Sequence, residues 1–294
     1  MITEGHLARH YQGRAGGRGP AIIDIAQDHL LYHLAQSGLF DLGIALKGGT
    51  AIRKFRAGNA GRFSTDLDFA GLDDASADLL LEAVDGAHVG DFVFQVTPIN
   101  GTLRSLLQID SPFGNTEVPA RLDLGRRTLW LPAEMLPVLP FPIHARYGFA
   151  LPPVPTAALE EIIAEKLARF RRVSLARDLY DLVWLGARPF DEALVRRLTV
   201  LKVWCDVVDD GLGDRPFVAD QILRVRTEKE FQPEAIGYLT APVDVPAWVR
   251  SVRARFAFMR ELDDFEARVS RCSRADDHDV RTAIAGLGGG SESH

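Results

Sequence analysis

Two hydrophobic rhythms divide the chain. In the first half, stretches with a helical period of 3.6 alternate with short runs of period two, and in the second half only the helical period persists. A loop over residues 12–19 (Gln-Gly-Arg-Ala-Gly-Gly-Arg-Gly) precedes an amphipathic helix predicted over 21–39. Ile44 to Lys47 reads as a short strand, and Thr50 to Arg56 as a helix that begins at the Gly48-Gly49 turn. A strand carrying Asp66 and Asp68 follows, then a helix near 75–85. Segments near 91–97, 102–109, 117–124 and 143–149 have the alternation and the β-branched or aromatic content of strands. Pro152, Pro153 and Pro155 then mark a boundary or hinge. Beyond them the pattern predicts helices at 156–171, 174–186, 191–208 and 246–270. Glycine and serine dominate from Gly288 to His294, a composition expected to be disordered. The expected organisation is α/β (α+β) and bilobed: a mixed-sheet lobe over 1–153, a mainly helical lobe over 154–287 and a tail over 288–294. No internal repeat interrupts it.

Composition adds limits. With 294 residues, 47% hydrophobic and 25% charged, the chain has enough apolar content for one large or two ordinary domains. No apolar run reaches membrane-spanning length and the polar N-terminus has no signal-peptide core, which reads as a cytoplasmic protein. Cys205 and Cys272 are two and far apart, against a disulfide framework or a zinc site. The net charge of −6 speaks against a general nucleic-acid coat but leaves room for a local basic cleft. Basic residues do cluster: Arg53, Lys54, Arg56 and Arg62; Arg121, Arg126 and Arg127; Lys166, Arg169, Arg171, Arg172 and Arg177. Solvated helix faces are the alternative explanation for each cluster.

The candidate chemistry centres on Asp66 and Asp68. An Asp-x-Asp on a strand places both carboxylates on one face, where they repel unless a hard cation lies between them. Leu67 and Phe69 would then point into a core. Sixteen residues before Asp66, Gly48 and Gly49 allow a backbone to approach a phosphate, and Thr50 can open the following helix. Metal-binding carboxylates with a phosphate-cradling turn are the parts that nucleotidyl transfer requires. A glycine turn beside a solvated acidic strand end is the plainer alternative. Asp123, in Ala120-Arg121-Leu122-Asp123-Leu124, is a candidate third carboxylate, the alternative being a surface aspartate paired with Arg121 or Arg126. Lys166 falls on the apolar stripe of Leu159, Ile162, Ile163, Leu167 and Phe170, so it must snorkel out, pair with an acid or meet a ligand such as a triphosphate. Asp178 and Asp181 share one side of the next helix, where salt bridging to Arg177 or Lys166 competes with a role at the base or metal. Ser64 precedes Asp66 by two residues, so it is either a phosphate or backbone hydrogen-bond partner or a regulatory phosphorylation site. No zinc-ligand spacing of histidines, Gly-x-Ser-x-Gly or Walker sequence is present.

Together, Lys47-Gly48-Gly49-Thr50-Ala51, Ser64-Thr65-Asp66-Leu67-Asp68-Phe69, Glu165-Lys166-Leu167 and Arg177-Asp178-Leu179-Tyr180-Asp181-Leu182 resemble the AbiEii/AbiGii-type nucleotidyltransferase toxins, including the MenT group. The resemblance covers about residues 40 to 190. It implies a DNA-polymerase-β-like nucleotidyltransferase core whose helical lobe completes the active site. It further implies transfer from a nucleoside triphosphate (NTP), with Mg²⁺ or Mn²⁺, to the 3′ acceptor end of tRNA, blocking translation. Carried over by motif, Asp66, Asp68 and Asp123 are the metal ligands, Lys166 the triphosphate contact and Asp181 a further essential acid. Lys47, Gly48, Gly49, Thr50, Arg53 and Ser64 are the remaining nucleotide contacts. An antitoxin partner is implied too, with a kinase acting on Ser64 as a candidate for it. Two rival functions stay open: nucleotidyl transfer to a protein hydroxyl, and an inert nucleotide-binding module. Phe141, Arg146, Tyr147 and Phe149 offer the aromatic and basic mixture that single-stranded RNA prefers, with core packing as the alternative use.

Overall fold

The structure, a computed structural model, describes residues 1–13, 17–116, 118–125, 127–172, 176–212, 216–222 and 244–288. They divide into two compact units, one of Met1–Leu129 and Ala133–Ala157, the other of Trp130–Pro132 and the described residues from Ala158 onward.

The first unit is built on a mixed eight-stranded sheet. Its strands are β1 (Ala45–Lys47), β2 (Asp66–Ala70), β3 (His88–Val89), β4 (Phe92–Pro98), β5 (Arg104–Asp110), β6 (Ala120–Leu124), β7 (Glu134–Leu136) and β8 (Val154–Thr156), in the order β3-β4-β5-β6-β2-β1-β8-β7. β2 runs antiparallel to β1 and parallel to β6. Alternation along β5 and β6 is strict: Ser105, Leu107, Ile109, Ala120, Leu122 and Leu124 are buried. The residues between them, Arg104, Leu106, Gln108 and Arg121, lie on the open face. Along β5 and β6 one face of the sheet is therefore core and the other is open, as the period of two demands.

Helices α1 (Glu4–His10), α2 (Arg18–Gln36) and α4 (Asp74–Val84) belong to this unit. α3 opens as Gly48–Ala51 and continues through wider, π-helical turns over Ile52–Ala57. Asp73 starts α4 by accepting from the Ser76 amide at 2.8 Å while the Ser76 hydroxyl accepts from the Asp73 amide at 2.9 Å. α2 departs from the amphipathic helix expected over 21–39: it ends at Gln36, and its polar residues Asp24, Gln27, Asp28 and His29 are buried too. A buried carboxylate needs a partner, and the next helix supplies it. Lys54, itself with no exposed surface, donates to Asp28 at 2.7 Å and to Asp24 at 3.1 Å.

Two further expectations fail in this unit. Residues 143–149 are not a strand but a 3₁₀ turn, Pro142–Arg146, and a following bend. Tyr147 and Phe149, both half-buried, pack against α2 instead of pairing as a strand. Phe149 stacks on Tyr32 with ring centroids 4.1 Å apart, and Tyr147 donates to Asp28 at 2.7 Å. Helix does not begin at 156 either. Val154–Thr156 is the buried strand β8, parallel to β1, and the register sets Pro155 opposite Met135 of β7.

The second unit is helical: α5 (Leu159–Arg172), α6 (Ala176–Gly186), α7 (Glu192–Val208), α8 (Ala219–Ile222), α9 (Val245–Arg255), α10 (Asp264–Val269) and α11 (Asp277–Gly288). The single helix expected over 246–270 is broken, because Asp263 and Glu266 form a capping box that starts α10 afresh. α1, β3, β7, α8 and α11 have no counterpart among the expected elements. Gly288 ends α11, and the rest of the expected tail, with 14–16 of the expected loop, lies outside the described residues. Among the described residues no helix is long and apolar enough to cross a membrane.

Candidate active site

Strand register assembles the acidic site. Lys47 on β1 pairs with Asp68 on β2, Asp68 pairs with Asp123 on β6, and Asp123 pairs with Arg104 on β5. Because paired residues share a face, the sheet carries a row ordered Lys47, Asp68, Asp123, Arg104. Asp66, two residues before Asp68, stands on that same face beside Arg121, its partner on β6. Leu67 and Phe69 point the other way and have no exposed surface.

The Gly48-Gly49 turn lies against these residues. Gly48 has a φ of +74°, the left-handed region, and a Cβ there would overlap the Asp68 carboxylate. A Cβ on Gly49 would stand 2.7 Å from both Ser64 Oγ and Arg62 Nη2. Thr50 is fully buried and its hydroxyl donates to the Asp66 backbone carbonyl at 2.6 Å. It therefore ties α3 to the start of β2 rather than offering a hydroxyl to a pocket. Gln27 donates to the Ser64 carbonyl at 3.1 Å, and Ser64 is only 6% exposed.

Arg53 is also placed away from the role expected of it. Its Nη1 donates to the carbonyls of Gly58 and Gly61 at 2.8 and 2.9 Å, and its guanidinium lies over the rings of Phe63 and Phe141. Such contacts fasten the end of α3 inside the core. Burial alone would raise the carboxyl of Asp24, but Lys54, Arg53 and His10 hold it well below the usual carboxylate range.

Arg104 is the functional candidate that sequence reasoning missed. Its Nε donates to Asp123 Oδ1 at 2.6 Å. That hydrogen bond and the Asp123 charge push the guanidinium above its ordinary value, with smaller contributions from Asp68 and Asp66. No motif marks Arg104, and only strand pairing brings it to the acids. Among the described residues no three His, Cys, Asp or Glu side chains are drawn together tightly enough to hold a metal ion. Asp66 and Asp68 nonetheless suit a hard cation, because Mg²⁺ takes oxygen ligands and needs only one or two carboxylates when phosphates complete its shell.

In the second unit, Lys166 of α5 is drawn between two acids of α6. Its Nζ lies 2.7 Å from Asp181 Oδ2 and 3.0 Å from Asp178 Oδ1. Both aspartates are 2% exposed, so they are not the surface salt-bridge residues of the plainer reading. Pairing with acid, the second of the options open to a lysine on that stripe, is the one observed. Arg169 Nε approaches Asp178 Oδ2 at 3.5 Å.

Comparison with known proteins gives the family. A family profile described as "Nucleotidyl transferase AbiEii toxin, Type IV TA system" matches residues 29–283. The solved structure of MenT4, a nucleotidyltransferase toxin from Mycobacterium tuberculosis H37Rv, is 48% identical. It covers 98% of this chain and 100% of its own, with a TM-score of 0.93. JHP933 from Helicobacter pylori is 15% identical, covers 96% of this chain and 99% of its own, and has a TM-score of 0.45. No curated protein sequence matches. With a profile match over most of its length and a full-length structural counterpart that is a toxin, the chain belongs to the AbiEii family as a nucleotidyltransferase toxin of a type IV toxin–antitoxin system.

Proposed function

We propose that the protein transfers nucleotides from an NTP to the 3′ acceptor end of tRNA in a reaction that needs Mg²⁺ or Mn²⁺, and so blocks translation in the cytoplasm. The observation that carries this reading is the placement of Asp66 and Asp68 on one open sheet face, against the Gly48-Gly49 turn. Asp66 and Asp68 would hold the metal, with Asp123 joining them once Arg104 releases it. A bound Mg²⁺ would neutralise the triphosphate and stabilise charge on the leaving pyrophosphate. Gly48, having no side chain, leaves its backbone able to approach phosphate oxygens, and Lys47 adds a positive charge at the end of the row. Lys166 is assigned the triphosphate and Asp181 the further essential acid, on the motif shared with the family. In that role Asp178 and Asp181 orient the ammonium.

Ser64 is assigned the regulatory role. A phosphate there adds about 1.5–2 negative charges, next to the Gly49 backbone and two residues from Asp66. It would repel the triphosphate, and a kinase antitoxin is the partner that could place it. Because Ser64 is buried, the kinase would have to act on a locally opened segment.

Incubating the full chain with each radiolabelled NTP and total RNA, with and without EDTA, tests the reading. Label at the tRNA 3′ end, lost with EDTA and in Asp66→Ala, is the expected result. Label on protein would shift the acceptor to a hydroxyl of a polypeptide, and no label on any acceptor would leave a nucleotide-binding module.

A further inference from the structure

Arg104 closes the row that begins with Lys47, and its position raises a question of charge. The pair it makes with Asp123 is largely in water: the arginine side chain is 55% exposed and the aspartate 27%. Exposed pairs contribute little to stability. β5 and β6 do not depend on it, since their antiparallel register already runs from Arg104↔Asp123 to Leu107↔Ala120. What the contact does is occupy an oxygen of the carboxylate next to Asp68, and place a permanent cation beside three acids that share a face. A guanidinium does not lose its proton in the physiological range. It leaves a carboxylate only when another anion takes it, and phosphate oxygens match its planar donor fork better than most.

We propose that Arg104 is a positioning residue that screens the carboxylate row against a bare divalent cation, holding Asp123 until a triphosphate arrives with the metal and its phosphate oxygens take the guanidinium over. This inference rests on the metal assignment made above and adds an order of binding to it. Metal alone meets Asp66, Asp68 and a fixed positive charge. Metal with triphosphate meets three carboxylates, because the charge that opposed it has gone to the phosphate. The toxin would then not sit loaded with metal in the absence of nucleotide.

Titrating Mn²⁺ into the full-length protein without nucleotide, by calorimetry, tests this directly. Arg104→Gln is expected to bind Mn²⁺ about tenfold more tightly than the unaltered protein, since it removes one charge a few ångströms away. Arg104→Lys retains the charge and is expected to remain weak. Adding Asp123→Asn to Arg104→Gln should return the affinity to its starting level. Melting curves confirm that each variant is folded. Arg104→Gln binding no more tightly than the unaltered protein overturns the inference. Placing Asp66→Ala in the Arg104→Gln protein separates the two levels of argument. If tight Mn²⁺ binding survives the loss of Asp66, the metal assignment itself fails. If binding depends on Asp66 but is indifferent to Arg104, only the screening role fails.

Discussion

The carboxylate of Asp68 fills the space that any side chain on Gly48 would need. The glycine is required there twice over, by its left-handed φ of +74° and by this contact. Gly48→Ala should therefore cost about 1 kcal/mol of stability through the backbone alone. It should also displace Asp68 and lower kcat/KM by far more than that stability loss accounts for. Paired measurements of Tm and nucleotide transfer check this, and a Gly48→Ala protein with normal turnover would contradict it.

Asp66→Ala and Asp68→Ala should each abolish transfer in a protein that remains folded. Both side chains stand on the half-exposed face, so their loss opens no cavity in the core. Losing an electrostatic contact at the reacting centre commonly costs about 3–4 kcal/mol in the transition state. Transfer rates beside circular dichroism melts decide the matter.

Lys166 calls for a different design, because Lys166→Ala strands two buried carboxylates. That variant should lose stability by about 3–5 kcal/mol, which would mask any effect on catalysis. Lys166→Arg preserves the charge between Asp178 and Asp181 and should hold Tm within a few degrees. If the lysine meets the triphosphate, kcat/KM for the nucleotide falls in Lys166→Arg; unchanged kcat/KM would leave it a purely structural cation.

Lys54 makes the contrasting case, a buried cation serving the fold alone. Lys54→Met leaves Asp24 and Asp28 facing each other without their shared ammonium. Destabilisation of about 3–5 kcal/mol is expected. Chemical denaturation measures it, and a loss below about 1 kcal/mol would show that the network relaxes around the gap.

His29 sets a pH dependence. Burial among Phe92, Tyr147 and Phe149 holds its pKa below the ordinary value of 6.5, although the Ile25 carbonyl and nearby acids oppose this. The unfolded chain therefore binds the proton first. Stability is fully present above pH about 6.5 and falls as the pH drops below it toward the folded pKa. Asp24 and Asp28 are depressed carboxylates, whose contribution is lost only at lower pH. Melting temperatures between pH 7 and 5 should decline in the unaltered protein and flatten in His29→Phe.

Ser64→Glu should be inactive, and Ser64→Ala active but insensitive to a phosphorylating antitoxin. Ser64 Oγ lies where a Gly49 Cβ would crowd it, so a larger anionic group has little room. Transfer assays on both variants, with Tm as a control for misfolding, check this. Normal activity of Ser64→Glu would remove the regulatory role.

Local pattern was enough for much of this molecule. The period of two placed Asp66 and Asp68 together and Leu67 and Phe69 opposite them, because alternation is a property of any single strand. The helical stripe marked Lys166 as a lysine needing a partner for the same reason. What no pattern carried was pairing between distant segments. Arg104 became part of the site through β5–β6 register, and Asp123 came beside Asp68 through a parallel β2–β6 pairing, both settled by tertiary packing. Residues 143–149 alternate like a strand, yet Tyr147 and Phe149 are claimed by α2 rings, since apolar spacing states that a face is buried but not against what. Arg53 and Lys54 looked like basic residues beside a phosphate turn. Their charges are directed inward by Asp24 and Asp28, thirty and twenty-six positions before Lys54, a distance in sequence over which only the folded chain makes neighbours.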